Sequence, residues 1–346
     1  MHATIRIAPW RAEHASGSTS KNEQGYCNIV GRVKDMLIPL KRVVQGHLMR
    51  RTVSQAQIQA TLCAPSSTRL SVMARKALCI GINDYPGTQM DLKGCVNDAN
   101  DWAAALIGRS FNVSRLLDSH ATRVAIMGMI RGLISTAAKN DSLVITFSGC
   151  GTWVPDSDGD EADGRDEALC PYDVGSKGVI VDDEIKTLFA TRKTGVRLLM
   201  VTDSCHSGTV TRSASNEAGA DTRERFMPMG NWMSAKAVPR KLAGTLSASV
   251  LRPTGASRPQ GLFSRVMGDV LLAGCEEGQY CSEGIINGRP NGAFTFYAIK
   301  ALKTLKPDAT YADWHQAILK YLPSDRYPQS PQLFASDTDR KRIVFA

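Results

Sequence analysis

From Lys76 onward, short runs of apolar residues alternate with stretches in which apolar residues recur at helical spacing. The runs KALCIGIN, VSRLLD and DSLVITFSG predict strands. Between them, GCVNDANDWAAALIG and TRVAIMGMIRGLISTAA predict helices, the second with Thr122 as its N-cap. Strands and helices that alternate in this way form right-handed βαβ units around a mostly parallel sheet covered on both faces. The pattern therefore predicts an α/β fold.

The same alternation continues through the second half of the chain. GVIVDDEIKTLFATR predicts a short strand that turns into a helix begun by aspartates, and VRLLMVTDSCHSG predicts a buried strand with a polar end. DVLLAGCEEGQYCSEG predicts a strand followed by polar turns, GAFTFYAIKALKTL and TYADWHQAILKYL predict helices, and PQLFAS predicts a last strand.

Two segments depart from this pattern. Residues 1–72 have no clear period, so we expect weak order there. Their basic, acid-poor composition suits an organelle-targeting peptide, but we favour Met73 as the working start, because a clean strand begins three residues later. Residues 209–265 are rich in Ser, Ala, Arg and Pro, which predicts a long mobile insertion.

Composition narrows the class of protein. The chain has 346 residues, 43% of them hydrophobic, enough for one large α/β domain with an appendage. Of the net charge of +9, residues 1–72 carry +7, from 10 Lys/Arg against 3 Asp/Glu. The rest of the chain is nearly neutral, so we expect no nucleic-acid partner.

The spacing of the cysteines and the length of the apolar runs indicate where in the cell the protein is expected. Nine cysteines fall at irregular separations, with no CxxC pair and no Cys/His group at zinc-finger spacing. This distribution argues against a disulfide framework and suits a reducing, cytoplasmic location. No apolar run reaches the roughly 18 residues that would span a bilayer, so no membrane association is expected. The sequence gives no indication of the oligomeric state.

Two predicted strands end in polar sequences, TFSGCG and VTDSCHSG. In parallel α/β sheets, ligands bind beyond the carboxyl ends of the strands, where these two ends would meet. Cys205 follows a buried strand in a turn of small residues, where backbone N–H groups can face a developing oxyanion. A lone cysteine at a strand end is usually a buried hydrophobe. The polar neighbours Asp203, His206, Ser207 and Gly208 favour a nucleophile in a cleft instead.

Several of these segments carry a family resemblance. KALCIGINDY, GCVNDANDW, ITFSGCGTWVPDSDGDEADGRDEALCPYD, VIVDDEI and VTDSCHSG resemble the catalytic subunit of metacaspases and their bacterial relatives in the caspase superfamily. AGCEEGQYCSEG and GAFTFYAI resemble the small subunit. The resemblance covers residues 76–340. It implies a caspase-like three-layer α/β/α sandwich and a cysteine endopeptidase that cleaves peptide and protein substrates after Arg or Lys.

Within that resemblance, residues 73–346 form the peptidase domain. Its large-subunit-like part is 73–208, the insertion is 209–265 and the small-subunit-like part is 266–346. In active relatives, basic residues of the insertion would be candidates for self-cleavage. The alternative is that a solvated segment is simply basic. The basic residues are Arg212, Arg223, Arg225, Lys236, Arg240, Lys241, Arg252 and Arg258.

The resemblance also implies roles for individual residues. Cys205 matches the nucleophile, and Asp98, Asp203 and Ser148 match positions that line the pocket for a basic side chain. Two carboxylates in a cleft can hold a guanidinium through charge-assisted hydrogen bonds. Without the family, Asp98 would be expected as an exposed carboxylate in the first turn of a helix. By analogy, the N–H groups of Gly149 and Cys205 would form the oxyanion site.

Cys150 breaks the family pattern. Metacaspases have Ser-Gly-His-Gly at this corner, and the His is the general base, whereas this chain has Ser-Gly-Cys-Gly. A thiol stabilises a neighbouring thiolate poorly and is a weak proton donor to an amine. His206 adjoins Cys205 with a diverging side chain, and nothing in the sequence brings His120 into the cleft. The dyad is therefore expected to be broken.

Two explanations for Cys150 stay open. One is a loss of activity, natural or engineered. The other is a redox pair of Cys150 with Cys205, which requires a Cα separation of about 4.4 to 6.8 Å. Correspondingly, the chain is either a metacaspase-type peptidase with impaired activity or an inactive pseudoprotease that binds basic peptides or partner proteins.

The acidic loop and the aspartates near it are candidates for binding Ca²⁺. DSDGDEADGRDE has EF-hand spacing, but Glu161 replaces the glycine that such a loop needs. The resemblance implies Ca²⁺ held by Asp166, Asp182 and Asp183 plus a fourth aspartate, and that fourth position is Arg212 here. We expect calcium binding to be weakened or absent and no cofactor to be required. The alternative role for these aspartates is helix capping and loop solvation.

Overall fold

The computed structural model describes residues 73–156, 164–205, 222–233, 270–276 and 278–346. The expectations for residues 1–72 and for most of 209–265 lie outside the described residues. In chain order the strands are β1 (Arg75–Gly81), β2 (Asn112–Leu117), β3 (Ser142–Ser148), β4 (Gly151–Pro155), β5 (Arg165–Leu169), β6 (Ile180–Val181), β7 (Arg197–Asp203), β8 (Thr222–Glu224), β9 (Val270–Ala273), β10 (Ser282–Ile286), β11 (Arg289–Gly292) and β12 (Gln332–Phe334). The helices are α1 (Cys95–Ile107), α2 (Arg123–Ser135), α3 (Val174–Lys177), α4 (Asp182–Ala190), α5 (Ala293–Leu302), α6 (Tyr311–Ile318) and α7 (Asp337–Arg340).

Six strands form the central sheet, in the order β12-β9-β7-β3-β1-β2. Neighbouring strands from β9 to β2 are parallel, and β12 runs antiparallel to β9 at the edge. Strand β3 is buried along its whole length, as expected for a central parallel strand covered on both faces. The predicted mostly parallel sheet is confirmed.

Helices cover both faces, so the predicted three-layer α/β/α sandwich is also confirmed. Alternate residues of β1 enter two separate cores, because side chains alternate across a strand. Leu78 and Ile80 pack in the core beneath α2 and α4. Ala77 and Cys79 pack in the core beneath α1, α5 and α6, which also holds the edge-to-face pair Trp102 and Trp314. The predicted cap of α2 is confirmed as well, since Thr122 Oγ1 accepts a hydrogen bond from Ala125 N.

The parallel register aligns three strand ends. Gly81 of β1 lies opposite Ser148 of β3, and Ser148 lies opposite Asp203 of β7. The corner after β3 and the turn after β7 therefore start at the same height on the carboxyl edge of the sheet. Two small antiparallel sheets, β4-β5-β6 and β11-β10-β8, extend from the segments that follow.

Residues 222–233 differ from the expectation of a mobile insertion. They form β8, which pairs with β10, and a short 3-10 turn at Met229–Asn231. Burial of Arg225 and Met227 holds this part of the segment against the domain. Among the described residues, no helix combines the length and the apolar character needed to cross a membrane.

Candidate active site

Cys205 lies two residues beyond the end of β7 and is fully buried. Its Sγ accepts a hydrogen bond from Cys281 N at 2.7 Å and donates one to the carbonyl oxygen of Cys281 at 3.2 Å. Burial raises the pKa of the Cys205 thiol well above its usual value. The sulfur is therefore protonated at neutral pH and turned toward Cys281.

Cys150 occupies the corner between β3 and β4. Its backbone N donates to Tyr85 Oη at 2.7 Å, and its Sγ lies 3.7 Å from the carbonyl oxygen of Met90. Burial, followed by the negative charge that Cys205 would carry as a thiolate, raises the pKa of the Cys150 thiol. The corner also needs glycine at position 149, because a Cβ there would come within 2.6 Å of Tyr85 Oη.

The histidines considered as substitutes do not supply a base among the described residues. His120 is exposed in a 3-10 turn after β2, and His206 lies outside the described residues. His315 hydrogen-bonds through Nε2 to the carbonyl oxygen of Pro331 in the small-subunit-like part.

Three buried carboxylates converge next to Cys205. Asp98 comes from the first turn of α1, Asp203 from the end of β7 and Glu283 from β10. Asp98 was predicted from the family pattern, and the structure places it fully buried rather than on an exposed helix turn. The sequence analysis did not identify Glu283.

Backbone and side-chain donors hold each carboxylate in place. Asp98 Oδ1 accepts from the backbone N of Gly292 at 3.0 Å, and Asp203 Oδ2 accepts from the hydroxyl of Thr295 at 2.7 Å. Glu283 Oε1 accepts from Lys93 N at 2.7 Å. These donors fix the carboxylates in position, which makes the pocket a rigid, negatively charged cavity.

The side chain of Arg225 fills this pocket and is fully buried. Its Nη2 lies 2.6 Å from Asp98 Oδ2 and 3.3 Å from Glu283 Oε2, and its Nη1 lies 3.1 Å from Asp203 Oδ2. Burial alone would lower the pKa of Arg225, but the surrounding acids, Asp203 first among them, raise it well above its usual value. The guanidinium therefore stays charged.

The pKa of Asp98 is shifted by its surroundings in the pocket. Burial raises its pKa to about 6, and the positive charge of Arg225 limits the rise. Gly292 leaves the room that this packing requires, since a Cβ there would come within 2.5 Å of Arg225 Nη1.

The main chain of Arg225 is held as firmly as its side chain. Its N donates to the carbonyl oxygen of Cys281 at 3.0 Å. Its own carbonyl oxygen accepts from the N–H groups of Gly151 at 2.9 Å and Cys205 at 3.3 Å. Before it, β8 pairs antiparallel with β10, and after it Met227 N donates to the carbonyl oxygen of Gly151 at 2.8 Å. Residues 222–227 therefore lie as an extended strand added to the edge of a sheet.

The two glycines of the corner have different partners. Gly149 N donates to the carbonyl oxygen of Asp203 at 3.5 Å, whereas Gly151 N donates to the carbonyl oxygen of Arg225. The structure therefore brings Cys205 and Gly151, rather than Cys205 and Gly149, to one carbonyl oxygen. Ser148 is buried and lies opposite Asp203 in the sheet register.

The three aspartates expected to bind calcium lie near α4. Asp166 is buried in β5, and Asp182 and Asp183 form the first turn of α4. The ammonium of Lys186 lies 3.1 Å from Asp182 Oδ2 and 2.8 Å from Asp183 Oδ1. Burial raises the pKa of Asp182 to about 7, and the hydrogen bond with Lys186 opposes the rise.

Carboxylates suit Ca²⁺, and here one ammonium contacts two of these three residues and offsets one of their negative charges. The fourth position, Arg212, lies outside the described residues. A cation bound by Asp182 and Asp183 would therefore have to displace Lys186.

Sequence reasoning missed three residues of this region: Arg225, Glu283 and Cys281. Arg225 was one of eight basic residues in a segment expected to be mobile, and nothing in the spacing separates it from the others. The sequence analysis assigned Glu283 and Cys281 to polar turns, whereas Glu283 lies in β10. The contacts of Glu283 with Arg225 and of Cys281 with Cys205 depend on tertiary structure.

Comparisons with known proteins agree with the fold. The family model described as metacaspase, peptidase C14 domain, matches residues 75–213. The chain is 34% identical over 293 residues to Metacaspase-1 of Coccidioides immitis, covering 76% of this chain and 61% of the relative. It is 31% identical over 330 residues to Metacaspase-1B of Aspergillus oryzae, covering 87% of this chain and 77% of the relative.

A third relative, Metacaspase-1 of Saccharomyces cerevisiae (strain ATCC 204508 / S288c), is 30% identical over 289 residues, 76% of this chain and 66% of the relative. The chain thus spans between about 60 and 80% of the length of these curated relatives. Among solved structures, a crystal structure of a Geobacter sulfurreducens protein matches with a TM-score of 0.59 and 30% identity. It covers 79% of this chain and 98% of that one.

Proposed function

This chain belongs to the metacaspase family. We therefore propose that it is a cysteine endopeptidase with Cys205 as the nucleophile. Its groove would bind peptides that have a basic residue before the scissile bond. We propose further that hydrolysis is impaired, because Cys150 replaces the base. Peptide and protein chains are the proposed substrates. The free cysteines of the described residues support a reducing, cytoplasmic setting.

One observation carries the preference for a basic residue: Arg225 of the chain itself lies in the groove as a bound peptide would. Its guanidinium contacts Asp98, Asp203 and Glu283, and its carbonyl oxygen accepts from the N–H groups of Cys205 and Gly151. An arginine is favoured here because its planar fork can bond several carboxylates at once.

The same carbonyl geometry suggests how the chemistry would proceed. Attack of the Cys205 sulfur on a carbonyl carbon places negative charge on the oxygen, which the N–H groups of Cys205 and Gly151 would stabilise. The step also needs a group that takes the proton of Cys205 and returns one to the leaving amine. Cys150 is a poor base at neutral pH, because burial keeps its thiol protonated. Acylation is therefore expected to be slow.

A second candidate function rests on Cys150. With this residue in place of the base, the chain would bind basic peptides or partner proteins without cutting them. The fold, the pocket and the strand-like mode of binding are common to both functions, so only a measurement of turnover separates them.

The test compares the chain as it stands with its Cys150→His variant and the double variant Cys150→His/Cys205→Ala, all in reductant. A fluorogenic peptide with Arg before the reporter measures turnover, and mass spectrometry finds any cut in the chain itself. We expect cleavage of the peptide, and of the Arg225–Phe226 bond, by Cys150→His alone.

The outcomes separate the two functions. If Cys150→His fails to cut while the double variant Cys150→His/Cys205→Ala binds the labelled Arg peptide, the binding function is supported. Rapid cleavage by the unmodified chain would show that Cys150 does not impair catalysis. Equal binding of Arg and Glu peptides would contradict the basic specificity.

A further inference from the structure

A cluster of three thiols contains the proposed nucleophile and two further cysteines that the proposed peptidase mechanism does not use, and the inference drawn from it rests in part on that proposed function. The Sγ atoms of Cys205, Cys275 and Cys281 all lie within 4.8 Å of one another, and those of Cys275 and Cys281 are 2.9 Å apart. Cys205 follows β7, while the other two lie in the segment between β9 and β10. We propose that these three cysteines bind a thiophilic divalent cation, Zn²⁺, and that ligation prevents the sulfur of Cys205 from acting as a nucleophile.

The backbone around the cluster is fixed at both ends of the β9–β10 segment. The buried side chain of Gln329 donates to the carbonyl oxygen of Gly274 at 2.9 Å and accepts from Ser282 N at 2.9 Å. Cys275 and Cys281 lie just inside these two anchored positions. A site supported in this way keeps its ligands close without a metal present.

Gly274 shows that space is kept for the sulfur atoms. A Cβ at this position would lie 2.8 Å from Cys281 Sγ and 3.0 Å from the ring of Phe294. The glycine therefore lets the Cys281 thiol sit between the strand end and α5, facing Cys205 and Cys275.

The sulfur spacing suits zinc. With Zn–S bonds of about 2.3 Å in a tetrahedron, neighbouring sulfurs lie about 3.8 Å apart. The closest pair needs to separate by about 1 Å, which a small side-chain rotation supplies. Soft thiolate ligands select Zn²⁺ over hard cations such as Mg²⁺ or Ca²⁺. Three protein ligands leave the fourth coordination position to water.

Binding releases protons and changes no oxidation state. A cysteine binds zinc as its thiolate, so Zn²⁺ takes the place of the protons on the thiols it binds, and these protons go to solvent.

The charge of the surroundings also favours a cation. Asp98, Asp203 and Glu283 provide three carboxylates against the one guanidinium of Arg225. Cys275 is only partly buried, so it offers an approach for the metal. Ligation of Cys205 would prevent its attack on a peptide, so zinc would act as a reversible inhibitor.

The test uses the full chain, metal-free and in a non-thiol reductant, titrated with Zn²⁺ and with Co²⁺ as a coloured substitute. We expect one equivalent to bind, with a thiolate-to-cobalt charge-transfer band. Cys275→Ser and Cys281→Ser should each weaken binding at least tenfold and reduce the band. The matched control is Cys79→Ala, a buried cysteine in the core beneath α1, which should bind like the unmodified chain.

Two results would overturn the proposal. One is undiminished binding in the double variant Cys275→Ser/Cys281→Ser, and the other is a cobalt spectrum without the charge-transfer band. If the variants do not fold, alkylation of the unmodified chain decides, because Zn²⁺ should slow iodoacetamide labelling of Cys275. None of these readouts needs turnover, so their failure is distinct from failure of the peptidase proposal.

Discussion

The guanidinium of Arg225 lies 2.6 Å from the carboxylate of Asp98, although 127 residues separate them in the sequence. This contact joins a segment expected to be mobile to the first turn of α1, and both side chains are fully buried. The pocket predicted to take a basic side chain from outside is therefore filled by one of the chain's own.

Removing the arginine should destabilise the fold and open the pocket. Arg225→Ala leaves three buried carboxylates without their cation, and breaking a buried pair in this way typically costs about 3–5 kcal/mol. We expect a lower Tm together with tighter binding of an Arg-containing peptide. Agmatine, which carries a guanidinium on a flexible chain, should restore part of the Tm.

Arg223→Ala is the matched control, because the side chain of Arg223 is exposed and its guanidinium donates to the carbonyl oxygen of Gln89 rather than to the buried carboxylates. It should leave both Tm and peptide binding close to those of the unmodified chain. A loss of Tm in Arg225→Ala that agmatine does not reverse, with no gain in peptide affinity, would contradict a ligand-like role for Arg225.

Asp98 should contribute to the change of stability with pH. Its pKa is about 6 in the folded chain against an ordinary value of 3.8, so the folded state binds the extra proton between these values. Stability contributed by this group therefore falls as pH rises from about 4 to about 6. Asp98→Asn should remove its share of that decline from a plot of Tm against pH, while the share of Asp182, whose pKa burial raises to about 7, remains.

Asp101→Asn provides the comparison for Asp98, since Asp101 also lies on α1 but at a less buried position, in contact with Arg289. Its profile should follow the unmodified chain. If the Asp98→Asn profile keeps the full decline between pH 4 and 6, another group is responsible for it.

Lys186 should compete with calcium for the carboxylates of α4. Its ammonium contacts Asp182 and Asp183, so Lys186→Gln leaves their charge uncompensated and favours a divalent cation. We expect at least a tenfold gain in Ca²⁺ affinity, measured by calorimetry. Lys177→Gln, at an exposed position in α3, should not change it. Equal calcium binding by all three proteins would contradict the competition.

Substitution of glycine by alanine should have opposite effects on stability at two positions, Gly292 and Gly128. Gly292→Ala would push a Cβ against Arg225 and Asp203, and overpacking of this kind costs about 1–3 kcal/mol. Gly128→Ala lies in α2 with open space around its Cβ and should stabilise by about 0.5–1 kcal/mol. Denaturant unfolding of both variants measures the difference. Similar stabilities would show that the pocket relaxes around the added methyl group.

The fold could be predicted because its signals are local. The buried strands of the central sheet show apolar runs, and the longer helices α1, α2, α4, α5 and α6 show helical spacing and, at Thr122 of α2, a cap. The meeting of Ser148 and Asp203 also followed, since parallel strands align their carboxyl ends.

What could not be predicted depends on long-range packing. Glu283 enters the pocket because β10 pairs with β8, a strand too short and polar to be recognised from its sequence. The three thiols belong to segments up to 76 residues apart, so no spacing rule detects them. The sequence also could not show which glycine N–H, that of Gly149 or that of Gly151, reaches the carbonyl oxygen of Arg225, because the two residues are identical and flank the same cysteine.

Strand β8 begins 17 positions after Cys205, so the occupant of the groove is covalently tethered close to the nucleophile. Short tethers hold a ligand at an effective concentration on the order of millimolar. If the groove takes peptides as proposed, a free peptide has to compete with this tethered segment, and its apparent Kd rises in proportion. Weakly binding and scarce peptides would then be excluded before any chemistry begins.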